Sequence, residues 1–314
     1  MSTNPNPFDP ELHGGVQFDH SEPVTGFDDR AAKVRFRLKG SSQGPIYQGQ
    51  HIYQGCVGCG QPVGPFRKRL PKPFRIHDPL GERAIVIPWL STAVAWSELK
   101  FSLRAIHRHF TDRECPIYII GDAAPLWLRQ GGRVRFIPID SYKLSKEAGL
   151  FEAVQLGMQI ADTVGWWNDD IYLLRDTGWD DMRVALTDGD LRGIETVLRQ
   201  SGVVWQIGLG EAVEDLKLLG KTTFRFATHT PYLFEIEKSR EIFRTFYLHH
   251  KGSWVTLYHN FHATPHMPEG PWKVQSLPSD KPAARYLNHR HTGPDKKTKE
   301  ELVRMFPDPA PWEL

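Results

Sequence analysis

Cysteine is scarce: three in 314 residues, too few for a disulfide framework. No uninterrupted apolar run of about 18 residues occurs, and no charged stretch leads into an apolar one at the N-terminus. The expectation is therefore a cytoplasmic chain with no signal peptide and no integral membrane contact. Net charge is nearly absent as well, because 39 Lys and Arg against 37 Asp and Glu leave +2, which alone does not point to a polyanionic partner. The charge is unevenly placed, since the first 29 residues hold six acids and no Lys or Arg. What the chain has is apolar mass, 40% hydrophobic with ten Trp, enough for one substantial core or one α/β domain with appendages.

Residues 1–82 are rich in Pro, Gly, Asn, Gln and Ser and show no sustained helical periodicity, so they read as an irregular extension. Within them Cys56-Val57-Gly58-Cys59-Gly60 has the spacing of half a zinc knuckle; a complete Zn²⁺ site would need His51 or His77, and otherwise the segment is a plain turn. The basic, aromatic-interleaved run Phe66 to Arg75 suits either a phosphate backbone or a solvated linker.

Residues 83–264 alternate short apolar runs with amphipathic stretches, the pattern of βαβ units on a mainly parallel sheet. Strands are expected at Ala84 to Leu90, Pro116 to Gly121 and Val134 to Ile139, with a fourth ending in Asn168-Asp169-Asp170. Helices are expected at Ser97 to Phe110 with Ser97 as N-cap, about Ser145 to Ala161, about Asp188 to Arg199, and Ile236 to His250. A Gly-rich stretch falls at Gly208-Leu209-Gly210, and residues 265–314 form a Pro-, His- and Lys-rich tail with one amphipathic stretch from Lys297 to Phe306. Ligands bind at the carboxyl edge of such a sheet, so Pro88, Trp89, Asp122, Asp169 and Asp170 are expected to share one crevice.

The most informative segment is the strand that halts on Asn168-Asp169-Asp170 and resumes with Ile171-Tyr172-Leu173-Leu174. A buried carboxylate without a partner costs several kcal/mol, and a hard divalent cation with oxygen ligands offsets that cost. A turn or helix N-cap made of Asn and Asp is the alternative.

Trp167-Asn168-Asp169-Asp170-Ile171-Tyr172-Leu173-Leu174 resembles the Asp-X-Asp region of GT-A nucleotide-sugar glycosyltransferases, with Asn168 in place of the usual first Asp. The resemblance extends over about residues 84–235, through Ile87-Pro88-Trp89, Glu98-Leu99-Lys100 and Ile119-Ile120-Gly121-Asp122. The Asp motif and Thr228-His229-Thr230-Pro231 are also similar to the Stealth sugar-phosphate transferases.

The resemblance implies a Rossmann-like GT-A sheet and a metal-dependent transfer from a nucleotide-diphosphate sugar, with a UDP-sugar favoured. The acceptor would be a hydroxyl, on a saccharide or on a hydroxymethylated base in DNA. It assigns Asp170 to Mn²⁺ or Mg²⁺ and Asp169 to the donor ribose, the sugar or the metal, and sets Asn168, Pro88, Trp89 and Asp122 around the donor. His229 would take the acceptor proton, since an imidazole ordinarily titrates near neutrality, with Glu235 or Glu237 as substitutes. His291 would complete the metal shell, and Gly293 with Lys296 or Lys297 would bind the diphosphate. His259, His262 and His266 form a second cluster, either a polar loop or a zinc site. Two alternatives stand beside this reading: a sugar-phosphate transferase, and a nucleic-acid-binding module using Cys56, Cys59 and residues 67–75.

Overall fold

Strand burial on both faces organises the structure. In the computed structural model, which describes residues 54–55, 62–63, 79–129, 131–143, 146–246, 253–279, 281, 283–289 and 293–314, the chain divides into two units, Met1–Ile76 and His77–Leu314. In the first, β1 (Gln54–Gly55) pairs antiparallel with β2 (Pro62–Val63), Gln54 opposite Val63. Cys56, Cys59 and the basic 67–75 segment lie outside the described residues.

The second unit opens with β3 (Arg83–Trp89), whose successive side chains enter two different cores. Ile85, Ile87 and Trp89 pack with Leu99, Leu103 and Ile106 of α1 (Glu98–His109), whereas Ala84 and Val86 pack with Ala153 and Val154 of α2 (Lys146–Gly157). That two-sided burial is why the strand reads as a continuous apolar run. β4 (Ile117–Gly121) alternates in the same way, with Ile117 and Ile119 on the α1 side and Tyr118 and Ile120 on the α2 side.

With β5 (Val134–Pro138), β6 (Thr163–Trp166) and β9 (Tyr232–Glu235), these strands form one sheet in the order β5-β4-β3-β6-β9. The first four are parallel, Ile87 opposite Ile119 and Val86 opposite Trp166, and β9 runs antiparallel with Tyr232 opposite Trp166. This is the expected α/β class with a mainly parallel sheet. The chain steps outward from β3 to β4 to β5, then crosses back to β6 on the other side of β3. Connections therefore diverge between β3 and β6, where a parallel sheet opens a crevice beyond its carboxyl ends. Gly121 lets β4 close on β3 there, since a Cβ at that position would lie 2.3 Å from the Trp89 carbonyl oxygen.

Beyond the Asp turn, β7 (Ile171–Leu173) joins a second sheet, β11 (Lys273–Val274)–β12 (Tyr286–Asn288)–β7. β8 (Ala185–Thr187) pairs in parallel with β10 (His266–Pro268). The helix expected from Asp188 begins only at α3 (Glu195–Gln200), because Gly189 and Gly193 adopt positive φ before it. The Gly-rich stretch is helical, inside α4 (Val204–Leu218): a Cβ at Gly210 would meet the Glu195 carbonyl oxygen at 2.7 Å, so glycine admits α3 against α4. α5 (Ile236–Thr245), α6 (Trp254–Phe261) and α7 (Lys296–Met305) complete the unit. Arg104 of α1 clasps the far end of the chain, its Nε and Nη2 donating to Glu313 at 2.6 and 2.7 Å. Among the described residues no helix is long and apolar enough to cross a membrane.

Candidate functional site

The Asn168-Asp169-Asp170 turn hangs between two buried strands. β6 brings Trp166 and Trp167 into separate cores, and β7 returns with Ile171, Tyr172 and Leu173 fully covered. The three polar residues between them are half-buried, closed by a bond from the Ile171 N–H to the Asn168 carbonyl at 3.3 Å.

Asp170 receives its partners from two distant parts of the chain. The Asn288 side-chain amide, at the end of β12, donates to Asp170 Oδ2 at 2.6 Å, and His229 Nδ1 lies 3.4 Å from the same oxygen. Asp170 Oδ1 is buried and has no hydrogen-bond partner among the described residues. Burial pushes the Asp170 carboxyl up, but the bonds from His229 and Asn288 and the nearby His289 outweigh it and hold the group below the ordinary carboxylate range. Asp169 has no such support. Burial first, then the Asp170 charge and the Glu98 charge, push it up to about 7, with Lys146 pulling the other way. Near neutrality the turn thus joins an ionised carboxylate to one that readily holds a proton.

His229 is presented by a strained loop. Its φ of +48° is a left-handed conformation that non-glycine residues rarely adopt. Buried hydroxyls fix it on both sides: Thr228 Oγ and Thr230 Oγ are 2.9 Å apart, and the Thr228 N–H donates to Tyr232 Oη at 2.7 Å. The Lys273 ammonium, itself buried, donates to the Thr228 carbonyl. His229 remains 52% exposed while Asp170 is 16% exposed, so the ring spans from the covered carboxylate to solvent. Nδ1 also lies 3.2 Å from the Asn168 side-chain amide. With that amide turned so that its oxygen faces the ring, Nδ1–H meets two acceptors and Nε2 keeps its lone pair.

Other sequence-selected residues are placed differently. Pro88 is buried in β3 opposite Ile120, and Trp89 is buried with Nε1 donating to the Ala123 carbonyl at 3.0 Å. Asp122, at the end of β4, spends both oxygens on Ser91, accepting from its N–H at 2.8 Å and its hydroxyl at 2.6 Å. It thus ties the ends of β3 and β4 together. Lys296 is 92% exposed at the start of α7, 3.9 Å from Glu300. Gly293 passes beside the Glu98 carboxylate, whereas His291 lies outside the described residues. Glu235 pairs in register with Thr163, at the opposite end of β6 from the Asp turn, and Glu237 pairs with Arg240, so neither joins the site.

Sequence reading missed Asn288, His289, Glu98, Tyr142 and Lys146 as neighbours of the pair. Burial, then the charges of Asp169 and Asp122, push the Tyr142 phenol up, so it stays protonated near those carboxylates. The acid at the first position of α1 was visible as such in the sequence, but not that it would accept from the Trp96 N–H at 2.8 Å where Ser97 makes no side-chain cap.

The described residues contain no group of three or more His, Cys, Asp or Glu set to hold a metal, the His259, His262 and His266 cluster included. A pair of carboxylates with an unpartnered buried oxygen nevertheless fits a hard cation of the Mg²⁺ or Mn²⁺ kind, which takes one or two carboxylates and completes its shell with water and substrate phosphates.

No protein-family model matches the chain, and no curated protein matches it. Among solved structures it is similar to the galactosyltransferase LgtC in complex with donor and acceptor sugar analogs, at 13% identity and a TM-score of 0.41 over 73% of this chain and 98% of that one. It is also similar to an active-site mutant of LgtC, at 14% identity and a TM-score of 0.40 with the same coverage.

Proposed function

We propose that the chain is a metal-dependent glycosyltransferase of the GT-A type, moving a sugar from a nucleoside-diphosphate donor, with UDP favoured, to an acceptor hydroxyl. One observation carries this reading: at the point where the sheet's connections diverge, two adjacent carboxylates lie at a strand end with Asp170 Oδ1 buried and without a partner among the described residues, and an exposed histidine beside them.

In this account Asp169 and Asp170 would hold Mn²⁺ or Mg²⁺, which when bound would supply charge withdrawal from the leaving diphosphate. Asn288 and His229 fix the Asp170 carboxylate, and its ionisation is maintained by them. His229, its Nδ1–H turned to Asp170, offers Nε2 to the acceptor. The acceptor oxygen bonds to the anomeric carbon, the bond from that carbon to the diphosphate breaks with its electron pair leaving on the diphosphate, and the hydroxyl proton passes to Nε2. Tyr142 and Glu98 lie near Asp169, and Asp122 through Ser91 would keep the β3 and β4 ends closed behind the nucleotide.

The test is release of nucleoside diphosphate from a panel of UDP-, GDP- and ADP-sugars with Mn²⁺. Turnover of at least one, abolished by chelation and by Asp170→Asn, is expected; inert protein with every donor would refute the reading. The position of His229 beside Asp170 also serves a sugar-phosphate transfer, and phosphorus in the product would decide for that reaction.

A further inference from the structure

A polar groove of about 330 Å³ is lined among others by Glu269, Lys273, Gln275, Ser276, Ser279 and Lys281. Two connections tie it to the site. β11 runs parallel to β12 with Val274 opposite Leu287, and Gln275 follows directly after that pair as Asn288, whose amide grips Asp170, follows Leu287. From the other wall, the Lys273 ammonium reaches across to the carbonyl of Thr228, the residue before His229. The groove is thus linked to the His229 loop through Lys273 and to Asn288 through the β11–β12 pairing.

The lining chemistry indicates the occupant. Short hydroxyls, an amide and a carboxylate interleave donors with acceptors, as a ligand with many hydroxyls requires. Its positive charge is largely engaged: Lys273 pairs with Glu269 at 3.2 Å, and Lys281 Nζ donates to the carbonyls of Gly270 and Lys273 at 2.6 and 3.2 Å. Ammonium groups tied down in this way are poorly suited to tracking a phosphate backbone. The volume sits at the small end of the roughly 300–1,000 Å³ range of small-molecule sites, the size for a terminal sugar rather than a duplex.

We propose that this groove seats the acceptor, the hydroxyl-bearing end of a saccharide, with Lys273 as the positioning residue that links the seat to the His229 loop. The proposal rests on the transferase reading. It is tested on the full chain with UDP and Mn²⁺ present, by saturation-transfer NMR with methyl glycosides of glucose, galactose, mannose and N-acetylglucosamine. At least one glycoside binds the wild type, and Ser276→Trp, which fills the groove from an exposed position, weakens it about tenfold or more while leaving UDP affinity unchanged. Gln275→Ala weakens it less, again without effect on UDP. Binding indifferent to Ser276→Trp, or no glycoside bound while UDP is held, would overturn the seat alone. UDP that never binds would sink the transferase reading and the seat with it.

Discussion

The fold buries ionisable groups in two contrasting ways. At the β6–β7 turn, Asp170 is gripped by Asn288 and faces His229, and the cluster opens to solvent through that histidine. Around α6, His259 is fully enclosed by the rings of Phe226, Tyr232, Phe234 and Tyr258, and neither ring nitrogen has a hydrogen-bond partner among the described residues. Burial, with the nearby His262 and His266, pushes His259 down to about 3, so it stays neutral as one more apolar ring. Proximity of titratable residues in sequence is shared by both regions. What separates them is whether the fold supplies partners and an opening.

The largest effect expected is from Asp170→Asn. It keeps an acceptor for Asn288 but removes the charge, so turnover should fall by at least about 10³-fold, as read by donor hydrolysis, and Tm should fall modestly at neutral pH and not at acid pH, because the folded carboxyl titrates below its ordinary range. Next, His229→Ala should lower kcat by about 10²–10⁴-fold and weaken Mn²⁺-dependent donor binding far less, since Asn288 still holds Asp170. A wild-type rate would return His229 to a turn residue and erase the contrast with His259.

Asp169→Asn sharpens the comparison through pH. Because the folded group titrates near 7, above the unfolded value, its contribution to stability is present at acid pH and is lost as pH rises toward 7. The variant should therefore melt several degrees higher than wild type at pH 8, match it near pH 4, and bind Mn²⁺ more weakly. The smallest effect belongs to His259→Phe. The folded value lies below the unfolded one, so wild type loses stability as pH falls below about 6.5, with a slope of at most about 1.4 kcal/mol per pH unit. Phe should flatten that slope and leave activity intact; an activity loss would show that the enclosed ring has a role its packing does not reveal.

How much of this was legible follows from distance along the chain. Ala84 to Leu90 and Pro116 to Gly121 declared themselves as strands because both their faces are covered. Asn168-Asp169-Asp170 stood out as a polar break in an apolar run. Asn288 did not, since its bond to Asp170 depends on the register of β12 against β7, set across 118 residues. Asp122 was legible as a strand end, but not that Ser91 would occupy both its oxygens. The helix through Gly208 and Gly210 was hidden because Gly210 serves the close contact of α3 with α4 rather than a turn. The positive φ of His229 comes from the buried Thr228, Thr230 and Tyr232 hydroxyls, which no local pattern announces.

The most direct test is calorimetric titration of UDP, GDP, ADP and CMP into the wild type and Asp170→Asn, with and without Mn²⁺. One diphosphate should bind only with Mn²⁺, and Asp170→Asn should lose it. No nucleotide bound, or binding indifferent to both Mn²⁺ and Asp170→Asn, would contradict the assignment of the Asp169–Asp170 turn as the seat of the donor's cation.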